Sequence, residues 1–213
     1  MLEIYLTRHG ETEWNQIKRM QGQGDSPLTD FGVRQAAWLA ERLEAKEFTY
    51  IYTSPLGRAK KTALIINKVL KAEVIEDDRL KEIYMGDWEG QLVSDLETAY
   101  PLENDQFWHN PIAFEMDGKE TFGQVRDRAA AFFEDVISKH DDGKILIVAH
   151  AIVLKGMMNY IQGEKLSKFW EGKHILPTSL TKINVLDNRF TVIYIADTSH
   201  HKEAMEKGWF IEE

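Results

Sequence analysis

The chain has 213 residues, enough for one sizeable hydrophobic core, and its 43% apolar and 29% charged residues are ordinary globular usage, which excludes a disordered chain. A formal net charge of -9 argues against non-specific affinity for nucleic acid or an anionic membrane, which needs a basic face, so an anionic ligand would need a local cationic pocket. Cysteine is absent, which removes disulfides, thiolate catalysis and cysteine-held zinc and fits a reducing compartment.

The first residues, Met1 to Arg8, carry Glu3 and too short an apolar run for a signal peptide. Apolar runs such as Ile145 to Ala149, which stops at His150, fall far short of the roughly 20 residues that span a bilayer. These features predict a soluble, cytoplasmic protein with no membrane partner. Oligomeric state is not legible. No repeat or Gly/Ser/Pro-rich linker interrupts the chain, so residues 1–213 are expected to form a single domain.

In chain order, Leu2 to Thr7 reads as a buried strand that runs into a loop at Arg8-His9-Gly10. Thr29 is a candidate helix cap, followed by Val33, Ala36, Ala37, Ala40 and Leu43 at helical spacing. Tyr50 to Ser54 is strand-like and Pro55 ends it. Leu56 to Leu70 carries Ala59, Ala63, Ile66 and Leu70 on one helical face, and Val74 to Glu76 is a short strand. Residues 92–120 are weakly periodic and broken by Pro101 and Pro111, which predicts an irregular helical cap. Phe122, Val125, Ala129, Phe132, Phe133 and Val136 mark a long amphipathic helix. Lys144 to Ala149 is a strand and Ile152 to Ile161 a helix. Leu180 to Leu186 and Phe190 to Ala196 form a hairpin across Asp187-Asn188-Arg189. This alternation predicts a three-layer α/β/α fold with a mostly parallel central sheet and an antiparallel hairpin.

Three of these strands end at polar residues: one leads into Arg8 and His9, one into Arg58, one into His150. Ligands of open α/β sheets bind outside the carboxyl ends of the strands, so these widely separated side chains are expected at one rim.

The run Arg8-His9-Gly10-Glu11-Thr12-Glu13-Trp14-Asn15 closely resembles the signature of the histidine phosphatase superfamily, which includes the phosphoglycerate mutases. The resemblance continues through Gln21-Gly22, Ser54-Pro55-Leu56-Gly57-Arg58-Ala59, Leu80-Lys81-Glu82, Gly86-Asp87-Trp88-Glu89-Gly90 and Val148-Ala149-His150, in the family's order and approximate spacing. It implies phosphoryl transfer, a reaction in which the protein mainly positions the group and stabilises charge on its equatorial oxygens. Guanidinium forks match those oxygens, which suits Arg8 and Arg58. Burial and neighbouring cations would keep His9 neutral and nucleophilic near pH 7, giving a phosphohistidine.

The resemblance assigns the general acid to Glu82 and charge stabilisation to His150, with Asn15, Gln21 and the Gly22 backbone completing a phosphate cradle. No metal or cofactor is required, because arginines and histidines supply the positive field. The partners expected are small phosphorylated metabolites.

Around the second histidine the chain reads Ala149-His150-Ala151, where the commonest family pattern has serine or threonine before and glycine after. Loss of that hydroxyl removes an orienting hydrogen bond, and the added Cβ lies where backbone approaches phosphate, so altered geometry or activity is expected. The segment Gly86 to Gly90 and the relatively short chain look more like the phosphatase branch than a dedicated mutase. A non-catalytic phospho-ligand module is a third reading, against which stands the joint retention of His9 and Glu82. Phe107 and Trp108 are candidate pocket walls or ordinary core aromatics, and Tyr84 and Met85, which follow Glu82, are candidates to line the site. His109, His140, His174, His200 and His201 match no motif and are expected to be surface or structural.

Overall fold

The computed structural model describes residues 1–187 and 189–203. Strand β1 (Leu2–Arg8) leads to a short helix α1 (Glu13–Gln16) and then α2 (Asp30–Leu43). β2 (Tyr50–Thr53), α3 (Gly57–Leu70) and β3 (Glu73–Glu76) follow, then two short helices, α4 (Val93–Ala99) and α5 (Pro101–His109). α6 (Phe122–Lys139), β4 (Gly143–Ala149) and α7 (Ala151–Ile161) lead to β5 (Leu180–Leu186) and β6 (Arg189–Asp197). Asn188, in the turn of the expected hairpin, lies outside the described residues.

The strands form one sheet in the order β3-β2-β4-β1-β5-β6. β1 is parallel to β4, and β2 is parallel to both β4 and β3. β5 is antiparallel to both β1 and β6, so the sheet is mostly parallel, as expected, with β5 as its one reversed strand. Successive side chains of β4 alternate between two cores. Ile145, Ile147 and Ala149 enter one with Phe132 and Phe133 of α6 and Val153 and Met157 of α7. Leu146 and Val148 enter the other with Leu39 of α2 and Ala63 of α3. A strand covered on both faces has no polar side, which is why 145–149 reads as continuous apolar sequence.

The helices begin at chemically explicit caps. Thr29 accepts from the Gly32 N–H, and Thr121 forms a reciprocal capping box with Gln124. One core expectation fails: Val33 is exposed, and Gly32 takes the buried place in the first turn of α2. The reason is backbone contact there, since a Cβ on Gly32 would stand 2.1 Å from the Glu11 carbonyl oxygen.

Within 92–120, α4 and α5 are followed by irregular chain. Trp88 is fully buried beneath this cap, its ring 6.1 Å from that of Phe107 and 5.8 Å from that of Phe114. The aromatic cluster, completed by Phe122 at 5.1 Å from Phe107, fastens the cap to the core on the α6 side.

The register then sets the site. Arg8 pairs with Ala149 and Thr53 with Val148, so β1, β4 and β2 end level with one another. The ladder continues one residue further, His9 N–H donating to Ala149 O and Ser54 N–H to Val148 O, each at 3.0 Å. His9, Ser54 and His150 thereby emerge together at the carboxyl edge.

Candidate active site

The loop that carries His9 is clamped from both sides. Gly10 N–H donates to Thr62 Oγ1 on α3 at 3.0 Å, and Glu11 N–H to Gln35 Oε1 on α2 at 2.9 Å. A Cβ on Gly10 would lie 2.4 Å from the Gly32 carbonyl oxygen, so only glycine fits where the loop crosses α2. His9 Nδ1 is 2.7 Å from the Gly10 carbonyl oxygen, an acceptor only. Its Nε2 faces Arg58 Nε at 3.2 Å, a donor only. The two partners together place the imidazole proton on Nδ1 and leave the lone pair on Nε2.

Arg58 sits in the first turn of α3 with 2% of its surface exposed. Its other donors reach Gly24 O at 2.7 Å, Gly22 O at 2.7 Å and Asp25 Oδ1 at 3.3 Å. The guanidinium therefore joins the 22–25 loop to the nucleophile candidate. Arg8, at the end of β1, donates through Nη1 to Ile175 O at 3.1 Å.

Glu82 lies at the amino end of α7. Its Oε2 accepts from Ile152 N–H at 3.1 Å, and its Oε1 from Val153 N–H at 3.2 Å and Ile83 N–H at 3.0 Å. Amides at a helix amino terminus otherwise need a partner, and here they hold the carboxylate in place.

His150 is fully buried, its ring centre 5.1 Å from that of His9. Its Nε2 is 2.8 Å from Ser54 Oγ. The hydroxyl expected to be missing beside His150 is thus supplied from the end of β2 instead of from position 149. His150 packs against His9, and the next residue, Ala151, borders the pocket.

Asn15 and Gln21 meet at Thr12, a hub that motif reading passed over. Asn15 Oδ1 accepts from Thr12 N–H at 3.1 Å in the capping box of α1, and Gln21 Nε2 donates to Thr12 Oγ1 at 2.9 Å. Asn15 therefore both caps a turn and lines the pocket. Gly22 contributes its carbonyl to Arg58, and its φ of +50° is a backbone state in which a Cβ would stand 2.4 Å from Glu89 Oε1. Glu89 in turn accepts from Gln23 N–H and Met85 N–H, so the Gly86 to Gly90 segment braces the 21–24 loop.

These side chains border a pocket of about 300 Å³. Arg8, His9, Asn15, Gln21, Arg58 and Glu82 make its polar wall; Met20, Ile83, Met85, Phe107, Trp108 and Trp170 make an apolar one. Phe107 is both core and wall, fully buried yet bordering the cavity. Tyr84 is 45% exposed and lies off the wall, which corrects its expected place. His109 and His174 do border the pocket, contrary to their reading as mere surface or structural residues. Trp170, 5.3 Å from Trp108, and Lys155 were also missed; both fall in stretches where no motif marks them.

Burial sets the electrostatics. His9 is held well below the ordinary histidine value by burial first, then by the Arg58 and Arg8 charges. His150 is lowered in the same way, by burial and then by Arg58, His9 and Arg8. Burial brings Arg8 down to about 10, partly offset by Glu82, and it also lowers Arg58. At neutral pH the site thus pairs two neutral imidazoles with two guanidinium cations. Among the described residues no three His, Asp or Glu side chains converge so as to hold a metal ion, and no helix is long and apolar enough to cross a membrane.

The model of the histidine phosphatase superfamily (branch 1) matches residues 4–198. The chain belongs to the histidine phosphatase superfamily. The chain is 36% identical to phosphoserine phosphatase 1 of Hydrogenobacter thermophilus, over 80% of this chain and 81% of that protein. It is 38% identical to a probable phosphoglycerate mutase GpmB of Serratia proteamaculans, over 76% of each. The solved structure of Bacillus stearothermophilus YhfR superposes with a TM-score of 0.91 at 39% identity, covering 94% of this chain and 99% of that one. A phosphatase or a mutase reading fits this membership of the superfamily.

Proposed function

We propose that the protein is a metal-independent phosphatase that hydrolyses small phosphomonoesters through a phosphohistidine on His9. The observation that carries this reading is the fixed tautomer of His9, with a lone pair on Nε2 beside the Arg58 guanidinium.

In the first half-reaction Nε2 attacks phosphorus and the ester P–O bond breaks. Glu82 enters this step protonated, gives the leaving oxygen its proton and becomes the carboxylate. As the lone pair becomes a P–N bond, the Arg58 Nε–H loses its acceptor and turns to a phosphoryl oxygen, beside Arg8. The ring becomes positively charged, and the Gly10 carbonyl oxygen at Nδ1 stabilises it. Ser54 Oγ accepts from Leu56 N–H, and in this reading its own proton goes to His150 Nε2, which leaves the His150 proton on Nδ1. That buried N–H, unpartnered among the described residues, is a donor for the transferred group.

In the second half-reaction the Glu82 carboxylate takes a proton from water, the water oxygen attacks phosphorus, and the P–N bond breaks. Phosphate leaves with His9 neutral again. The cationic wall carries the charge stabilisation that a metal supplies elsewhere.

A second reading, phosphoryl transfer between positions of a phosphorylated acid, is supported by the relative named as a probable phosphoglycerate mutase. The test is phosphate release from p-nitrophenyl phosphate and from phosphorylated metabolites after exhaustive chelation, with 3-phosphoglycerate followed separately for isomerisation. Release without isomerisation is expected. Isomerisation alone, or a strict metal requirement, would overturn the hydrolytic mechanism.

A further inference from the structure

Lys155 is the unexplained charge of this pocket. It lies on α7, four residues beyond Ala151 and three beyond Ile152, on the helical face that also borders the cavity. The residue is 7% exposed, and its Nζ donates to Trp170 O at 3.0 Å and Glu171 O at 2.8 Å. Among the described residues no carboxylate pairs with it. An ammonium has three N–H donors, so one remains after these two carbonyls.

A buried cation with no counter-charge is costly, and such groups are ordinarily paired. Burial lowers Lys155 to about 8, so it still carries its charge at neutral pH. Its α-carbon is about 6 Å along the helix from that of Ala151, beside the reaction centre, by the 1.5 Å rise per residue.

We infer that Lys155 is a specificity-determining residue that receives a carboxylate on the leaving group, so that preferred substrates are phosphomonoesters of hydroxy acids. This rests on the phosphatase reading for its reaction but not for its binding. The bound acid supplies the missing counter-charge, and the third ammonium N–H donates to it. Esters of neutral alcohols lack that partner and leave the cation uncompensated.

The test compares 3-phosphoglycerate with glycerol 3-phosphate, which differ by a carboxylate against a hydroxymethyl group. Wild-type enzyme should prefer the acid by about tenfold or more in kcat/KM, the scale of one charge-assisted hydrogen bond. Lys155→Met should collapse that ratio mainly through KM for the acid, and Lys155→Arg should restore much of it. Calorimetry with His9→Ala reads the same preference without turnover. Discrimination in binding without hydrolysis by the wild type would leave the subsite standing and remove the phosphatase reading. No preference in wild-type kinetics or in His9→Ala binding, or an equal loss for both esters in Lys155→Met, would overturn the inference even if a variant folds poorly.

Discussion

Arg58 Nε lies 3.2 Å from His9 Nε2 and donates to its lone pair, while the opposite nitrogen of the same ring faces the Gly10 carbonyl oxygen at 2.7 Å. One arginine thus orients the nucleophile candidate before reaction and stands beside the phosphoryl group afterwards. Arg58→Lys keeps a charge but loses the fork and the Nε–H. The expected loss is about 10²–10³ in kcat, the size seen when one charge-stabilising donor is removed. Thermal melting alongside separates this from loosening of the 22–25 loop. A folded variant with near-native kcat would contradict the assignment.

Ser54 bears the hydrogen bond to His150 that position 149 does not provide. Ser54→Ala leaves a buried imidazole nitrogen and the Leu56 N–H without their partner, at about 1–3 kcal/mol of stability. The ring is then free to take the other tautomer, and kcat should fall about tenfold for the same energetic reason. Unchanged kcat in a variant that melts lower would make Ser54 purely structural.

Glu82→Gln should distinguish leaving groups. Alkyl esters need a proton on departure, so their turnover should drop by about 10²–10⁴, whereas p-nitrophenyl phosphate should lose much less. Steady-state kcat on both substrates checks this, and an equal loss for the two would remove the general-acid role.

The pH dependence follows from His9. Its neutral form is the reactive one, and burial holds its folded value well below the ordinary 6.5. Acidification therefore does not protonate it until well below 6.5, so activity toward p-nitrophenyl phosphate should persist at that pH. Stability has the opposite dependence: below 6.5 the unfolded chain takes up a proton at this position before the folded one does, so folding weakens as pH falls. Imidazole nitrogen shifts should show His9 neutral with its proton on Nδ1 at pH 6.5. A charged ring there would contradict the electrostatic account.

Much of this was legible in the chain. The strand at 145–149 declares itself because both its faces are buried, and Thr29 and Thr121 mark helix starts by cap chemistry. His9, Arg58 and His150 were expected at one rim because each follows a strand. The hidden parts are relations between distant residues. Thr12 joins Asn15 to Gln21, and Ser54 serves His150, through pairings that no local pattern encodes. Lys155 and Trp170 border the pocket because α7 and the 162–178 segment fold back on it, while in sequence one is a helix cation and the other an isolated aromatic. Val33 failed because the crossing at Gly10 and Gly32 displaced the buried face of α2 locally.

The central claim is covalent: His9 carries the phosphoryl group. The direct measurement is to quench the enzyme in alkali during turnover of a phosphomonoester and map the labelled peptide by mass spectrometry. An acid-labile, alkali-stable phosphate on His9, absent from His9→Ala, is the predicted result. A phosphoryl group on another residue, or turnover by His9→Ala at the wild-type rate, would contradict it.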